Sequence, residues 1–278
     1  GPFTSGAVGV RGQFRDITTG GGLRTPPTQD WTAAAFLVEE MVLGPVRLQG
    51  GVRYDQAQFT PQQRRFILVG SERIATERRS FGAVSGSLGA LWAPRADVRL
   101  GASASRAFRT PDFNELYSNG PHLAAFSYDV GNPQLREETG FGVDVFARIE
   151  RRTLRAEVAG YRNALSNYVF ARNTGNVSPQ AGRPLFQFTG VDALLTGAEA
   201  DVEWTVAPHV VLEGAASVVR GTVRGALDSL PASIDGPARP ASRDLPFIPP
   251  PSARLALRHD RPRGFWGVGT RVAARQTR

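Results

Sequence analysis

The sequence has no cysteine, a single methionine and only three histidines. Without cysteine there is no disulfide framework and no thiolate metal site. It contains no run of about 18 apolar residues, so no segment can cross a bilayer as a helix. The opening GPFTSGAVGVRG has no basic stretch leading into an apolar core and does not read as a secretory leader; the chain is expected to be an internal piece of a longer precursor. HExxH and HxxxH spacings, phosphate loops, Ser-His-Asp sets and cysteine nucleophiles are all missing. The formal charge is +8, with arginine supplying all 33 basic residues. Those arginines are scattered singly along the chain rather than gathered on one basic face, so no nucleic-acid partner is expected.

What remains is rich in glycine (31) and proline (20) and is patterned with a period of two. In Val46 to Gln58, residues Val46, Leu48, Gly50, Val52 and Tyr54 alternate with Arg47, Gln49, Gly51, Arg53 and Asp55. Comparable alternation marks Gly6 to Asp16, Trp31 to Leu43, Phe81 to Trp92, Val98 to Phe108, Thr139 to Ile149, Leu154 to Tyr161, Leu195 to Trp204, Val210 to Arg220, Ala253 to Arg258 and Trp266 to Arg275. About eleven strands result, with ends uncertain by a few residues. Their connections alternate between short turns, such as Gly44-Pro45 and Ala207-Pro208, and long polar loops: a connection with TGGG and TPPT, a charged loop through QQRRF and SERIATERR, Ser166 to Val191 and Gly221 to Pro251. A soluble sandwich gives no reason for this asymmetry. A transmembrane β-barrel does, with short periplasmic turns and long extracellular loops. The expected fold class is therefore all-β: an antiparallel transmembrane barrel.

Energy then assigns the faces. Arg or Lys at the lipid midplane of a barrel costs about 2–4 kcal/mol, so Arg47, Arg53, Arg99, Glu199, Asp201, Glu203, Arg254, Arg258 and Arg271 are expected in the lumen, and the alternating Val, Leu and Ala in lipid. Within the lumen these charges are expected to pair across strands, or to bias a pathway toward anionic cargo. Trp92 and Trp204 border short turns, where an aromatic belt belongs. Glu39 and Glu40 are adjacent and cannot both face the lumen; a bulge or the interface is expected to accommodate one of them.

The stretch Ala102 to Glu138, ASASRAFRTPDFNELYSNGPHLAAFSYDVGNPQLREE, is a strand broken at Thr110-Pro111, a long aromatic loop and a strand resumed at Glu138. Its SRAFRTPDFNELYSNGPH and GNPQLREE, in order with GGVRYD, TGAEADVEW and LPFIPPPSARLAL, resemble the TonB-dependent outer-membrane receptors, which import metal chelates. The resemblance implies a barrel of about 22 strands around an N-terminal plug, with a TonB box coupling the plug to an inner-membrane energy complex. Residues 1–278 are then a partial barrel without plug, TonB box or terminal strand. The implied location is the outer membrane of a Gram-negative bacterium. The implied partners are a metal chelate such as a siderophore or haem, outer-membrane lipid, and the TonB complex through the plug. No cofactor is expected.

Asn114, Tyr117, Asn119, His122 and Tyr128 are the ligand-binding loop candidates, since aromatics with polar tips suit binding surfaces. The aromatics could equally pack the loop on itself. His122 is also a candidate metal ligand, against a loop-packing role, because His209 and His259 border short turns at the opposite end. Two other readings remain open: a non-transporting β-sheet that binds a partner through its loops, and an outer-membrane barrel enzyme. The enzyme would need carboxylates and a histidine converging at one rim, which these loops do not obviously supply.

Overall fold

The computed structural model describes residues 5–20, 24–224, 243–246 and 248–276. One antiparallel sheet is built, in chain order, from β1 (Ser5–Ile17), β2 (Thr28–Leu43), β3 (Val46–Pro61), β6 (Arg79–Arg95), β7 (Val98–Arg109), β10 (Glu138–Glu150), β11 (Leu154–Val177), β12 (Pro184–Ala207), β13 (Val210–Val223), β14 (Ser252–Arg261) and β15 (Gly264–Ala273). Each strand pairs with its sequence neighbours, so the order is a simple meander. Long loops interrupt it with β4 (Phe66–Val69), β5 (Glu72–Ala75), α1 (Phe113–Tyr117), β8 (Asn119–His122) and β9 (Ser127–Val130). The Gly44-Pro45 turn needs the left-handed backbone that Gly44 adopts at φ 57°.

Cross-strand partners project to the same face of a sheet. The register therefore puts Arg47, Arg53, Arg99, Glu199, Asp201, Glu203, Arg254, Arg258 and Arg271 on one face. Ion pairs tie that charged face together: Arg15 to Asp30 (2.7 Å), Arg53 to Asp55 (2.6 Å), Arg47 to Glu40 (3.5 Å) and Arg254 to Glu213 (3.5 Å). Arg99 with Glu150, Arg148 with Glu157 and Arg258 with Glu213 add to the network. Three aromatic rings lie on glycines of the neighbouring strand: Phe36 over Gly9, Phe146 over Gly101 and Tyr161 over Gly197. A Cβ there would enter the ring, which is why these positions carry none.

The opposite face is apolar. Along β13, from its short turn, it reads Val210, Leu212, Gly214, Ala216, Val218; along β10, from the turn upward, Ile149, Ala147, Val145, Val143, Phe141. Trp92, Trp204 and Trp266 lie on this face beside short turns, with His259 stacked on Trp266 at 5.5 Å. Glu39 also lies on it, opposite Gly6 and Gly50, in unbroken pairing. Of the two expected accommodations, bulge or interface, the bulge is absent: regular alternation puts Glu40 on the charged face and Glu39 on the other, toward the short-turn end of β2.

Three expectations need correction. The segment Ser166 to Val191 is not a loop. Strands β11 and β12 continue through it, past an irregularity at Asn167, and the connection shrinks to residues 178–183. Alternation in NYVFARNTGNV and PLFQFTGV carries the pairing well beyond the rest of the sheet, so short and long connections do not alternate without exception. The charged segment after β3 contains the β4–β5 hairpin, paired from Phe66 with Ala75 to Val69 with Glu72. FNELY forms a short helix rather than loop. Of the Pro-rich stretch Gly221 to Pro251, residues 225–242 and 247 lie outside the described residues, as do 21–23 of the TGGG connection.

Candidate functional site

At the end of the sheet carrying the long loops, the loops fold together into a packed head. Its core joins Ala57, Phe59 and Phe81 from strands β3 and β6 to Ile67, Leu116, Tyr117, Tyr128, Val130 and Leu135 from the loops. Helix α1 is its keystone. Asp112 caps it, accepting from Asn114 N–H (2.9 Å), while Glu115 accepts from Asp112 N–H (2.8 Å), a reciprocal capping box. Arg109 donates to both Glu115 (2.8 Å) and Glu138 (3.1 Å), bridging the last residue of β7, the helix and the first residue of β10.

The GNP motif docks on the same helix. Gly131 N–H donates to Ser118 O (2.8 Å), and Asn132 N–H to Glu115 O (2.8 Å). A Cβ on Gly131 would stand 2.7 Å from the Leu116 carbonyl carbon and the Tyr117 nitrogen. Only glycine permits that approach of one backbone to another. Arg79 completes the lock, donating to Leu135 O (2.7 Å) and to Pro133 O. The motif residues from Arg109 to Glu138 thus act first as architecture.

The candidate residues separate under this geometry. Tyr117 is fully buried, and its hydroxyl donates to Glu77 O (2.8 Å); it packs the head and presents nothing to a ligand. Burial pushes its phenol pKa well up. Asn114 accepts from Thr25 Oγ1 (2.9 Å), holding the β1–β2 connection against the helix. His122 Nδ1 lies 2.9 Å from Asp129 Oδ2, and Asp129 also accepts from Ser127 Oγ (2.7 Å). Among the described residues no group of three or more His, Asp or Glu side chains could hold a metal ion. Asn119 and Tyr128 come together, the Tyr128 hydroxyl lying 3.2 Å from Asn119 Oδ1 and 2.7 Å from Gln180 Oε1.

Asn119 and Tyr128 also line a cavity of about 720 Å³ in the head. Its walls come from the β4–β5 hairpin (Phe66, Leu68, Arg73) and the extended β11–β12 hairpin (Arg172, Thr174, Gln187). Gln187 joins the two hairpins, accepting from Gly70 N–H and donating to Leu68 O, each at 3.2 Å. Arg172 is half-buried here and forms no ion pair among the described residues. Burial pulls its guanidinium pKa down. Sequence reading missed Arg73, Arg172 and Gln187, because their hairpins were read as loop; the strand alternation around Arg172 was the available signal.

A family model described as "TonB dependent receptor-like, beta-barrel" matches residues 4–278. Among solved structures, the copper transporter OprC is similar at a TM-score of 0.72 and 20% identity, over 90% of this chain and 36% of that one. The hemophore receptor HasR of Serratia marcescens, solved as a double mutant with its hemophore HasA and heme, is similar at 0.67 and 19%, over 91% and 45%. The ferric-catecholate import receptor Fiu of E. coli K12 is similar at 0.55 and 14%, over 84% and 32%. These relatives are receptors and transporters, and the chain spans less than half the length of each. With one family model matching residues 4–278, an antiparallel sheet and these neighbours in agreement, the chain belongs to the TonB-dependent receptors, as part of their β-barrel.

Proposed function

We propose that the chain is part of an outer-membrane receptor of a Gram-negative bacterium that captures an anionic metal chelate, a siderophore or haem, with its long loops. On this reading the apolar face meets lipid and the charged face lines the barrel interior. Coupling to the TonB complex runs through a plug that the rest of the receptor supplies. The observation that carries the reading is the cavity of about 720 Å³ in the loop head. Apolar walls at Phe66, Leu68 and Leu185 suit a bulky organic ligand, the amides of Asn119 and Gln187 orient it, and Arg73 and Arg172 supply positive charge. A half-buried cation without a carboxylate partner attracts an anion more strongly than an exposed one, because less water screens it.

Binding of a ferric catecholate, a ferric hydroxamate, haem and free copper to the detergent-refolded chain tests this by calorimetry. One of the three chelates should bind, and Arg172→Ala should weaken it about tenfold or more, the loss of one charged hydrogen bond. Equal binding by Arg172→Ala, or free copper binding alone, overturns the reading.

A further inference from the structure

Near its long-loop end the apolar face carries cations. Arg162 on β11 pairs with Thr196 on β12, and Thr196 pairs with Arg220 on β13. All three side chains therefore stand in one row on the apolar face, the arginines flanking the threonine hydroxyl. With strands about 4.8 Å apart, the two arginine Cα atoms lie roughly 10 Å from one another. Both arginines are exposed. Neither forms an ion pair among the described residues.

Their height along the sheet matters. From Val210 to Arg220 a strand tilted by about 40° rises roughly 25 Å, the height of the apolar band of an outer-membrane barrel. From Leu154 to Arg162 it rises roughly 20 Å. Below the row the face is apolar on all three strands: Val158 and Leu154, Ala200 and Trp204, Val218 and Leu212. One step above it on the same face come Ala164, Leu194 and Thr222, with Phe141 beside them on β10, and only then Ser166 and Asp192. The row thus lies within one residue step of the upper rim of the band, within reach of lipid headgroups for a side chain as long as arginine.

Neighbouring charges do not neutralise it. Asp192 lies four residues along β12 from Thr196 and accepts from Asn167 N–H (3.1 Å). Asp244 lies across from Thr222 and has an interaction of its own. Arg106, also on this face, donates to Val84 O and is held toward β6. The chemistry is specific as well: all 33 basic residues of the chain are arginine, whose planar fork binds phosphate oxygens in pairs where an ammonium offers a point charge.

We propose that Arg162, Thr196 and Arg220 form a binding site for a phosphate-bearing lipid headgroup at the long-loop rim of the membrane. The two guanidinium groups close on the phosphate from either side, the Thr196 hydroxyl donates between them, and the acyl chains run down over Val158, Ala200 and Val218. This rests on the apolar face meeting lipid and is independent of what the loops capture.

Native mass spectrometry of the detergent-refolded chain tests it with two probes of matched acyl chains, phosphatidic acid and diacylglycerol. Phosphatidic acid should be retained about tenfold more strongly. The double variant R162Q/R220Q should equalise the two lipids, the double variant R162K/R220K should recover part of the preference, and R99Q, on the charged face, should leave it unchanged. Circular dichroism confirms that each variant retains its strand content. The proposal is overturned if R162Q/R220Q keeps the preference, if R99Q abolishes it equally, or if inorganic phosphate displaces the lipid as readily as free phosphatidic acid does, which makes the row a free-anion site. An acidic peptide binding in place of the lipid overturns it also.

Discussion

The strand ladder and the loop head differ in where their stability comes from. In the ladder, residues of the apolar face such as Val84, Leu88, Val145 and Val218 stay open to the surroundings, and the other face is a mesh of half-exposed ion pairs. Single exposed pairs of that kind contribute about 0–1 kcal/mol each. The ladder therefore depends on continuous backbone pairing and on a medium that covers its apolar side. The head is built like a soluble domain, with Leu116, Tyr117 and Ile67 almost wholly buried and a capped helix at its centre. The lesson is that one chain uses two kinds of cover: an outside medium for the apolar face of the ladder, and its own loops for the head.

Substitutions should respect that division. Tyr117→Ala should cost the head about 3–5 kcal/mol, as for other large buried aromatics, seen as protease cleavage near residues 113–131 while strand content persists. Loss of the whole sheet would break the distinction. Val145→Arg, at mid-height on the apolar face, should destabilise the chain in lipid by about 2–4 kcal/mol, measured by urea unfolding from vesicles. Asp144→Arg, one residue along on the charged face, should change it far less; equal losses would refute the face assignment.

Gly131→Ala should cost about 1–3 kcal/mol, because the three atoms its Cβ would meet are backbone and cannot swing away. Hydrogen exchange at the α1 amides would report it, with β10–β15 unaffected. Alkaline pH should act on the head first. Burial raises the phenol pKa of Tyr117 and Tyr128 above the ordinary 10.0, so the folded head keeps protons that the unfolded chain releases. Its stability is full below about pH 10 and declines as pH rises beyond that. Tyr117→Phe should flatten the decline followed by near-ultraviolet absorbance. The smallest effect belongs to the short-turn end, where Arg151 donates to Asp97 (2.8 Å) and lowers its carboxyl pKa from 3.8. That contribution is present above about pH 4 and fades as pH falls; Arg151→Gln should return the Asp97 titration, read by NMR, toward the ordinary value.

Much of the ladder was legible in advance. Alternation such as Val46, Leu48, Gly50, Val52 against Arg47, Gln49, Gly51, Arg53 gives strand and face together, since successive side chains point to opposite sides. Short turns such as Gly44-Pro45 set the register between neighbouring strands. The head was much less legible. Tyr117 and His122 looked alike as decorated loop residues, yet one is buried and the other half-exposed beside Asp129. Arg172 lay in a segment read as loop.

The sequence by itself determined the strands of the ladder below the head, their order and which residues share a face, because these depend on a period of two and on neighbours along the chain. Tertiary structure alone decided the cavity, the keystone role of α1 and the position of Arg172. Those depend on contacts such as Gln187 with Leu68, 119 residues apart, and Arg79 with Leu135, 56 apart. No local pattern encodes such contacts; they form only when loops from separate hairpins meet above the sheet.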